Sequence, residues 1–207
     1  MKIAVFGATG GTGRQIVKQA LESGFEVKAF ARDRSKIELK DPKLEIIEGD
    51  ILKPETVDRA VSGTNVALVA LGANTPILAE GTKNIIESIK KHGTKRLVVE
   101  SSYAFSGSEE GVARLKSQGM IDEQIASFQP ILDDKAAQEK ETRESGLEYV
   151  VVRPLALTDG EKTGEYRIGE KLELEEASHI SRADVADFML KALKDDQWLG
   201  KTVYLAY

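Results

Sequence analysis

The chain has 207 residues, of which 41% are apolar and 30% charged, enough for one substantial core and ordinary for a single domain. Its 34 acidic and 29 basic residues give a net charge of -5 and are mixed along the chain, which disfavours a nucleic-acid surface, where a basic face is expected. Without cysteine there is no disulfide framework or thiolate metal site, and no apolar run reaches the ~18 residues of a membrane-spanning helix.

Met1 leads straight into a strand pattern without the features of a signal peptide, so a cytoplasmic protein is expected. Apolar bursts of strand length follow in order: KIAVF, EVKAFA, LEIIE, NVALVAL, RLVVES and YVVVR. Such runs suit strands buried on both faces. Between them, Ile16, Val17, Ala20 and Leu21 make one helical stripe and Leu78, Ile85, Ile86 and Ile89 another, each able to cover a sheet face. Gly24 and Gly93 stand where left-handed caps end these helices, and Lys90, Lys91 and His92 suit a negative helix end.

The alternation of strand and helix predicts right-handed crossovers and an α/β fold, a Rossmann-type doubly wound parallel sheet in three layers with a small C-terminal substrate-side lobe. One domain spans residues 1–207, with 104–132 and 155–180 as substrate-side insertions. The first of these, Ala104 to Leu132, is long, polar and interrupted, and a structureless loop of that length is uncommon unless it functions, so it is a lid or substrate-loop candidate. In GEYRIGEKLELEE, the alternation of Tyr166, Ile168, Leu172 and Leu174 around Gly169 predicts a small hairpin. Ser181 is expected to cap a helix with Asp184 at N3 and with Val185, Phe188, Met189, Ala192 and Leu193 inward, and TVYLAY reads as a last strand.

The opening MKIAVFGATGGTGRQIV ends a strand in a loop almost without side chains and then begins a helix. Spacing of Gly7, Gly10 and Gly13 lets the backbone turn tightly, lets a diphosphate reach the amides and packs helix on strand. The helix start supplies free N–H groups and partial positive charge. Gly7, Thr9, Gly10, Gly11, Thr12 and Gly13 are therefore candidates to hold a dinucleotide. At the tip of the second strand, a ribose 2′-hydroxyl calls for an acid and a 2′-phosphate for a guanidinium. Arg32 follows the strand with Arg34 and Lys36 near, which predicts NADPH over NADH, while Asp33 lies where the ribose acid would stand.

GATGGTG, Arg32, GDIL, ALG, ESSY, DDKAAQEKETRESGLEYVVVRP and ISRADVADFML together resemble the atypical short-chain dehydrogenase/reductases, and within them the NmrA-like group that includes biliverdin and flavin reductases. That resemblance implies that Asp50 and Ile51 border an adenine, Leu71 and Gly72 the adenosine-side ribose and phosphates, and Pro154 with Leu155 the nicotinamide. Lys135 resembles the lysine of the Tyr-x-x-x-Lys pair, but Ile131 stands where the tyrosine would be, removing the usual proton donor. Ser102, with Ser101 beside it, resembles a serine placed near the nicotinamide; Tyr103 is an alternative donor, though an aromatic at a strand end more often packs.

A reaction without a tightly placed acid fits these residues: NADPH-dependent hydride transfer to a conjugated ring, namely a flavin, tetrapyrrole or quinone-like acceptor. The expected partner is such a small molecule, with no nucleic acid or membrane, in a monomer or homodimer. The rival is an NADP(H)-sensing binding protein, and a third option is a sugar-nucleotide epimerase or dehydratase. His92 and His179 lack metal-ligand spacing, so no metal is expected. Asp133 and Asp134 are read as capping the Lys135 helix, Glu109, Glu110, Asp195 and Asp196 as solvated charges, and Trp198 as an anchor for the C-terminal segment.

Overall fold

The computed structural model describes residues 1–72, 76–104, 106, 108–173 and 178–207. Strands and helices alternate through the first half as β1 (Lys2–Phe6), α1 (Gly11–Glu22), β2 (Glu26–Ala31), β3 (Leu44–Glu48), α2 (Pro54–Val61), β4 (Val66–Val69), α3 (Leu78–His92) and β5 (Arg96–Glu100). Three helices follow, α4 (Glu109–Ser117), α5 (Asp122–Ser127) and α6 (Gln129–Glu144), and then β6 (Glu148–Pro154). The last part holds β7 (Ala156–Thr158), β8 (Arg167–Gly169), β9 (His179–Ser181), α7 (Arg182–Lys191) and β10 (Lys201–Ala206).

The main sheet has the order β3-β2-β1-β4-β5-β6-β10-β8. Every pairing in it is parallel except that of β8, which runs antiparallel to β10. Strand order reverses between β1 and β4, and in such sheets a crevice opens there beyond the carboxyl ends of the strands. Along β1 the side chains alternate between two cores. Ile3 and Val5 join Ile16, Ala20 and Phe188 under α1 and α7, while Ala4 and Phe6 join Val57, Ile85 and Ile89 under α2 and α3. Both faces of the sheet are thus covered, which is why the strands read as unbroken apolar runs rather than as alternating ones.

The expected caps are present. Gly24 and Gly93 take positive φ after α1 and α3, and Ser181 Oγ accepts the Asp184 N–H at 3.0 Å. Trp198 packs edge-on against Phe188 at 5.8 Å between ring centroids, tying the C-terminal segment to α7. Among the described residues no helix is long and apolar enough to cross a membrane.

Three expectations need correction. The 104–132 stretch is not a structureless loop: α4, α5 and the start of α6 enclose a small core of Leu115, Ile125 and Leu132. Its apolar residues are too sparse to show a clear helical stripe, since each helix buries only one or two of them there. Among the described residues β8 pairs with β10 rather than with a hairpin partner around Gly169; Leu174 of the predicted hairpin lies outside the described residues. The last strand offers β8 a long antiparallel partner already fixed in the sheet, which a local hairpin lacks.

The third correction concerns the acids before Lys135. The helix begins at Gln129, so Asp133 and Asp134 lie inside it. Asp134 reaches across to α3, where its carboxylate accepts the N–H groups of Leu78 at 2.7 Å and Ala79 at 3.0 Å. It caps a neighbouring helix, and so fixes α3 against α6. Asp134→Ala is expected to lower the unfolding free energy in urea by roughly 1–2 kcal/mol, and exposed Asp133→Ala by less than about 0.5 kcal/mol.

Candidate functional site

The turn after β1 is as tight as the sheet permits. Gly7 has φ +84°, and a Cβ on it would lie 2.1 Å from the Ala70 carbonyl oxygen at the end of β4. A Cβ on Gly13 would lie 2.0 Å from the Gly7 oxygen and 3.0 Å from Ala8 Cα, so α1 rests directly on the loop. Gly10 N–H donates to the Gly7 carbonyl at 2.9 Å and begins the helix with no side-chain cap, and no acid stands in the first turn. Helix-start amides with neither cap nor carboxylate against them are the donors an anionic ligand requires.

Two cavities meet over this loop. One, of about 270 Å³, lies at the β2 end and is bordered by Thr9, Phe30, Arg32, Ile51 and Ile77. The other, of about 460 Å³, lies over the end of β5. Its polar wall carries Thr12, Glu100, Ser102, Lys135 and Arg182, and its apolar wall Phe128, Ile131 and Leu157. Gly10, Ala70, Leu71 and Gly72 line both, so the two are ends of one cleft across the carboxyl ends of β1, β4 and β5. Bare glycine on the floor, helix-start amides and a cation at the rim fit an anionic dinucleotide.

The cleft gathers most of the residues singled out in the sequence: Gly7, Thr9, Gly10, Gly11, Thr12, Arg32, Ile51, Leu71, Gly72, Ser101, Ser102 and Lys135 all border it. Gly13 supports it from below. Arg34 starts a one-turn helix and lines neither cavity. Asp33 is engaged locally, accepting from Ser35 N at 3.0 Å and Ser35 Oγ at 2.6 Å, and the Ser35 hydroxyl holds its carboxyl below the usual carboxylate range. Asp50 likewise turns to its own backbone, accepting from Leu52 N at 3.0 Å. The Tyr103 ring packs edge-on against Tyr204 at 5.4 Å, and its N–H donates to the Pro154 carbonyl at 3.0 Å. Pro154, Leu155 and the Tyr103 ring line neither cavity. Ile131 sits one helical turn before Lys135 on the same wall.

Three charged residues of the site were not recognised in the sequence. Glu100, the last residue of β5, is 8% exposed, and its Oε1 accepts from Thr12 Oγ1 at 2.9 Å. Burial pushes its carboxyl up to about 7, against the pull of Thr12, Lys135 and Arg182. Glu139, fully buried one turn after Lys135, accepts from Ser101 Oγ at 2.6 Å and from both Arg153 nitrogens, Nε at 2.9 Å and Nη2 at 2.7 Å. Its burial penalty is outweighed by Arg153, Ser101 and Arg143, which hold it ionised below the usual range. Arg182 pairs with Asp159 at 2.7 Å and lies across Gly11, where a Cβ would come within 2.5 Å of its Cδ. Lys135 is pushed down by burial, opposed by Glu100, Glu139 and Asp134. The available signals were an acid ending the apolar run RLVVE, an acid four residues after Lys135, and an arginine directly after a helix cap.

Glu100 leaves a signature in stability. Its folded value is about 7 against 4.5 for the free side chain, so its contribution is complete below about pH 4.5 and is lost as pH rises through about 7. The shift corresponds to about 3 kcal/mol. Glu139, shifted downward, acts below this window, and Lys135, a base shifted downward, contributes in the opposite sense, its cost easing as pH rises. Urea unfolding between about pH 5 and 7.5 should show the loss in the wild type and its absence in Glu100→Gln. A difference between the two that does not change with pH would remove Glu100 from this account.

Residues 7–196 match the model of the NAD(P)H-binding family. An uncharacterized chloroplastic protein of Arabidopsis thaliana is 32% identical over 215 residues, covering 98% of this chain and 75% of that protein. The photosystem II assembly factor Ycf39 of Synechocystis is 28% identical over 98% of this chain, which spans 61% of that relative's length. ChuY, an anaerobillin reductase from Escherichia coli O157:H7, shares the fold with a TM-score of 0.82 at 20% identity, over 99% of this chain and 96% of its own. A glycine cradle at the strand-order reversal, joined to the family match over residues 7–196, shows that the chain belongs to the NAD(P)H-binding family, on a Rossmann-type fold.

Proposed function

We propose that the chain is an NADPH-dependent reductase acting on a flat conjugated ring, of the flavin, tetrapyrrole or quinone type. The observation that carries this is the 460 Å³ cavity, lined by the apolar side chains of Phe128, Ile131 and Leu157 together with Ser102 and Lys135. A cavity of that size and character suits a small organic molecule beside the cofactor, which a protein that only senses the dinucleotide does not require. When bound, a reduced nicotinamide supplies the hydride.

The chain's own residues bind, orient and exclude water. Amides at the start of α1 and the glycine loop hold the diphosphate. Arg32 at the rim of the first cavity pairs with a 2′-phosphate, while Asp33, engaged by Ser35, is withdrawn from the ribose hydroxyls; both favour NADPH over NADH. Ser102 and Lys135 orient the nicotinamide end, and the α4–α6 stretch brings Phe128 and Ile131 over the acceptor as the substrate-side insertion. With an isoleucine in place of the tyrosine, the wall offers a ring face rather than a phenolic proton, so an acceptor that takes its proton from solvent fits best.

A second reading is a cofactor-dependent assembly or sensing protein. The similarity to Ycf39, an assembly factor, favours it, as do the exposed apolar side chains of Phe128 and Leu157 at the cleft. Loss of NADPH absorbance with FMN, biliverdin and quinones decides between them: turnover of at least one supports the reductase, and cofactor binding without turnover of any supports the sensor. Arg32→Ala is expected to weaken NADPH roughly 10- to 100-fold, the loss of a charge-assisted contact, and to leave NADH nearly unchanged. An unaltered ratio of the two dissociation constants removes Arg32 from the phosphate site.

A further inference from the structure

The binding and hydride-transfer account leaves Glu100 without a role, although it lines the larger cavity together with Gly10, Gly11 and Thr12. Thr12 belongs to the first turn of α1 and donates its hydroxyl to Glu100 at 2.9 Å, so one residue joins the helix end to the buried acid. Lys135 faces Glu100 from α6 and Arg182 from the start of α7. On its own helix Lys135 is also faced by Asp134 and Glu139, the latter held by Arg153 and Arg143.

A diphosphate bound at α1 draws on the positive helix end, Lys135 and Arg182. An ionised Glu100 draws on the same two cations, and on the hydroxyl of Thr12 in the first turn of α1. Two anions in one buried site raise each other's affinity for protons, and the one able to take a proton near neutral pH does so. A phosphodiester stays ionised there, and a carboxylate already disfavoured by burial does not.

We propose that Glu100 is a cofactor-site residue that acts as a carboxylic acid: the cleft binds the pyridine dinucleotide with Glu100 protonated, its O–H available as a donor, and binding takes the proton from solvent. This rests on the cofactor-binding reading of the cleft and extends it to proton linkage. Because the free chain holds the carboxyl at about 7, the uptake is small in mild acid and approaches one proton per site above about pH 8.

The test is calorimetric titration of the full chain with NADP+ at about pH 8 in buffers of different ionisation enthalpy, with Kd followed upward in pH. The wild type is expected to take up close to one proton and to lose affinity by nearly tenfold per pH unit above about 7, whereas Glu100→Gln, which keeps an oxygen acceptor for Thr12, shows neither. Lys135→Met, which removes one pull on the carboxyl, is expected to keep the uptake but to move it to higher pH. Uptake lost in Lys135→Met but kept in Glu100→Gln places the proton on the lysine and overturns the proposal, as does absence of uptake in the wild type. Should Glu100→Gln fail to fold, infrared difference spectra of wild-type protein labelled with 13C-glutamate replace it. A carboxylic C=O band gained on adding NADP+ supports the proposal, and carboxylate bands alone overturn it. Binding heat from neither NADP+ nor NAD+ overturns both this proposal and the cofactor reading beneath it, whereas binding without linked protons overturns the proposal alone.

Discussion

Contact between backbone and backbone at the end of β1 governs the rest of the molecule. Gly7 passes under the Ala70 carbonyl and Gly13 lies on the Gly7 carbonyl, so β1, β4 and α1 meet with no side chain between them. Any Cβ at these two points would push the helix away from the sheet, and with it the free amides from the crevice. The anion site is therefore a consequence of packing: the same closeness that buries Ile16 and Val17 of α1 against the sheet aims its first turn at the cleft.

Around that cradle, charge is arranged in two ways. At the outer end Arg32 is exposed at the rim of the first cavity, where its charge carries no large desolvation cost. At the inner end, Glu100, Lys135, Glu139 and Arg153 form a buried chain in which only Glu139 has its compensation fully built in, through Arg153, Arg143 and Ser101. That pairing fixes β5, β6 and α6 relative to one another at the carboxyl end of the sheet. Glu100 receives one hydroxyl and faces its cations, Lys135 and Arg182, across the lining of the open cleft.

The C-terminal lobe is held by a different acid. Ser181 caps α7 as the sequence suggested, and the Asp184 carboxylate at N3 accepts from Thr163 and Gly164 of the preceding loop and from the Tyr207 hydroxyl at 2.6 Å. These bonds bring the chain end and the 160s loop onto the start of α7, and the neighbouring Arg182 is thereby placed over Gly11. This side of the cleft is thus anchored by polar contacts rather than by a large apolar core of its own.

Much of this was legible in the residues alone. Unbroken apolar runs declare strands buried on both faces, glycine spacing declares the crossover, and a serine three residues before an acid declares the α7 cap; each is a local rule with one common solution. The helices of the 104–132 stretch were not legible, because their apolar positions are few and their small core of Leu115, Ile125 and Leu132 exists only once all three helices meet. Asp134 was misread because capping of its own helix is the local reading, whereas its partner is 56 residues away in α3. Sequence by itself settled the fold, the position of the anion cradle and the candidate cation at its rim, since these depend on backbone conformation and short-range pattern. Only the tertiary structure decided which acids are buried, which cations face them and that an apolar wall closes the inner cavity, because burial and long-range charge are properties of what the folded chain brings together.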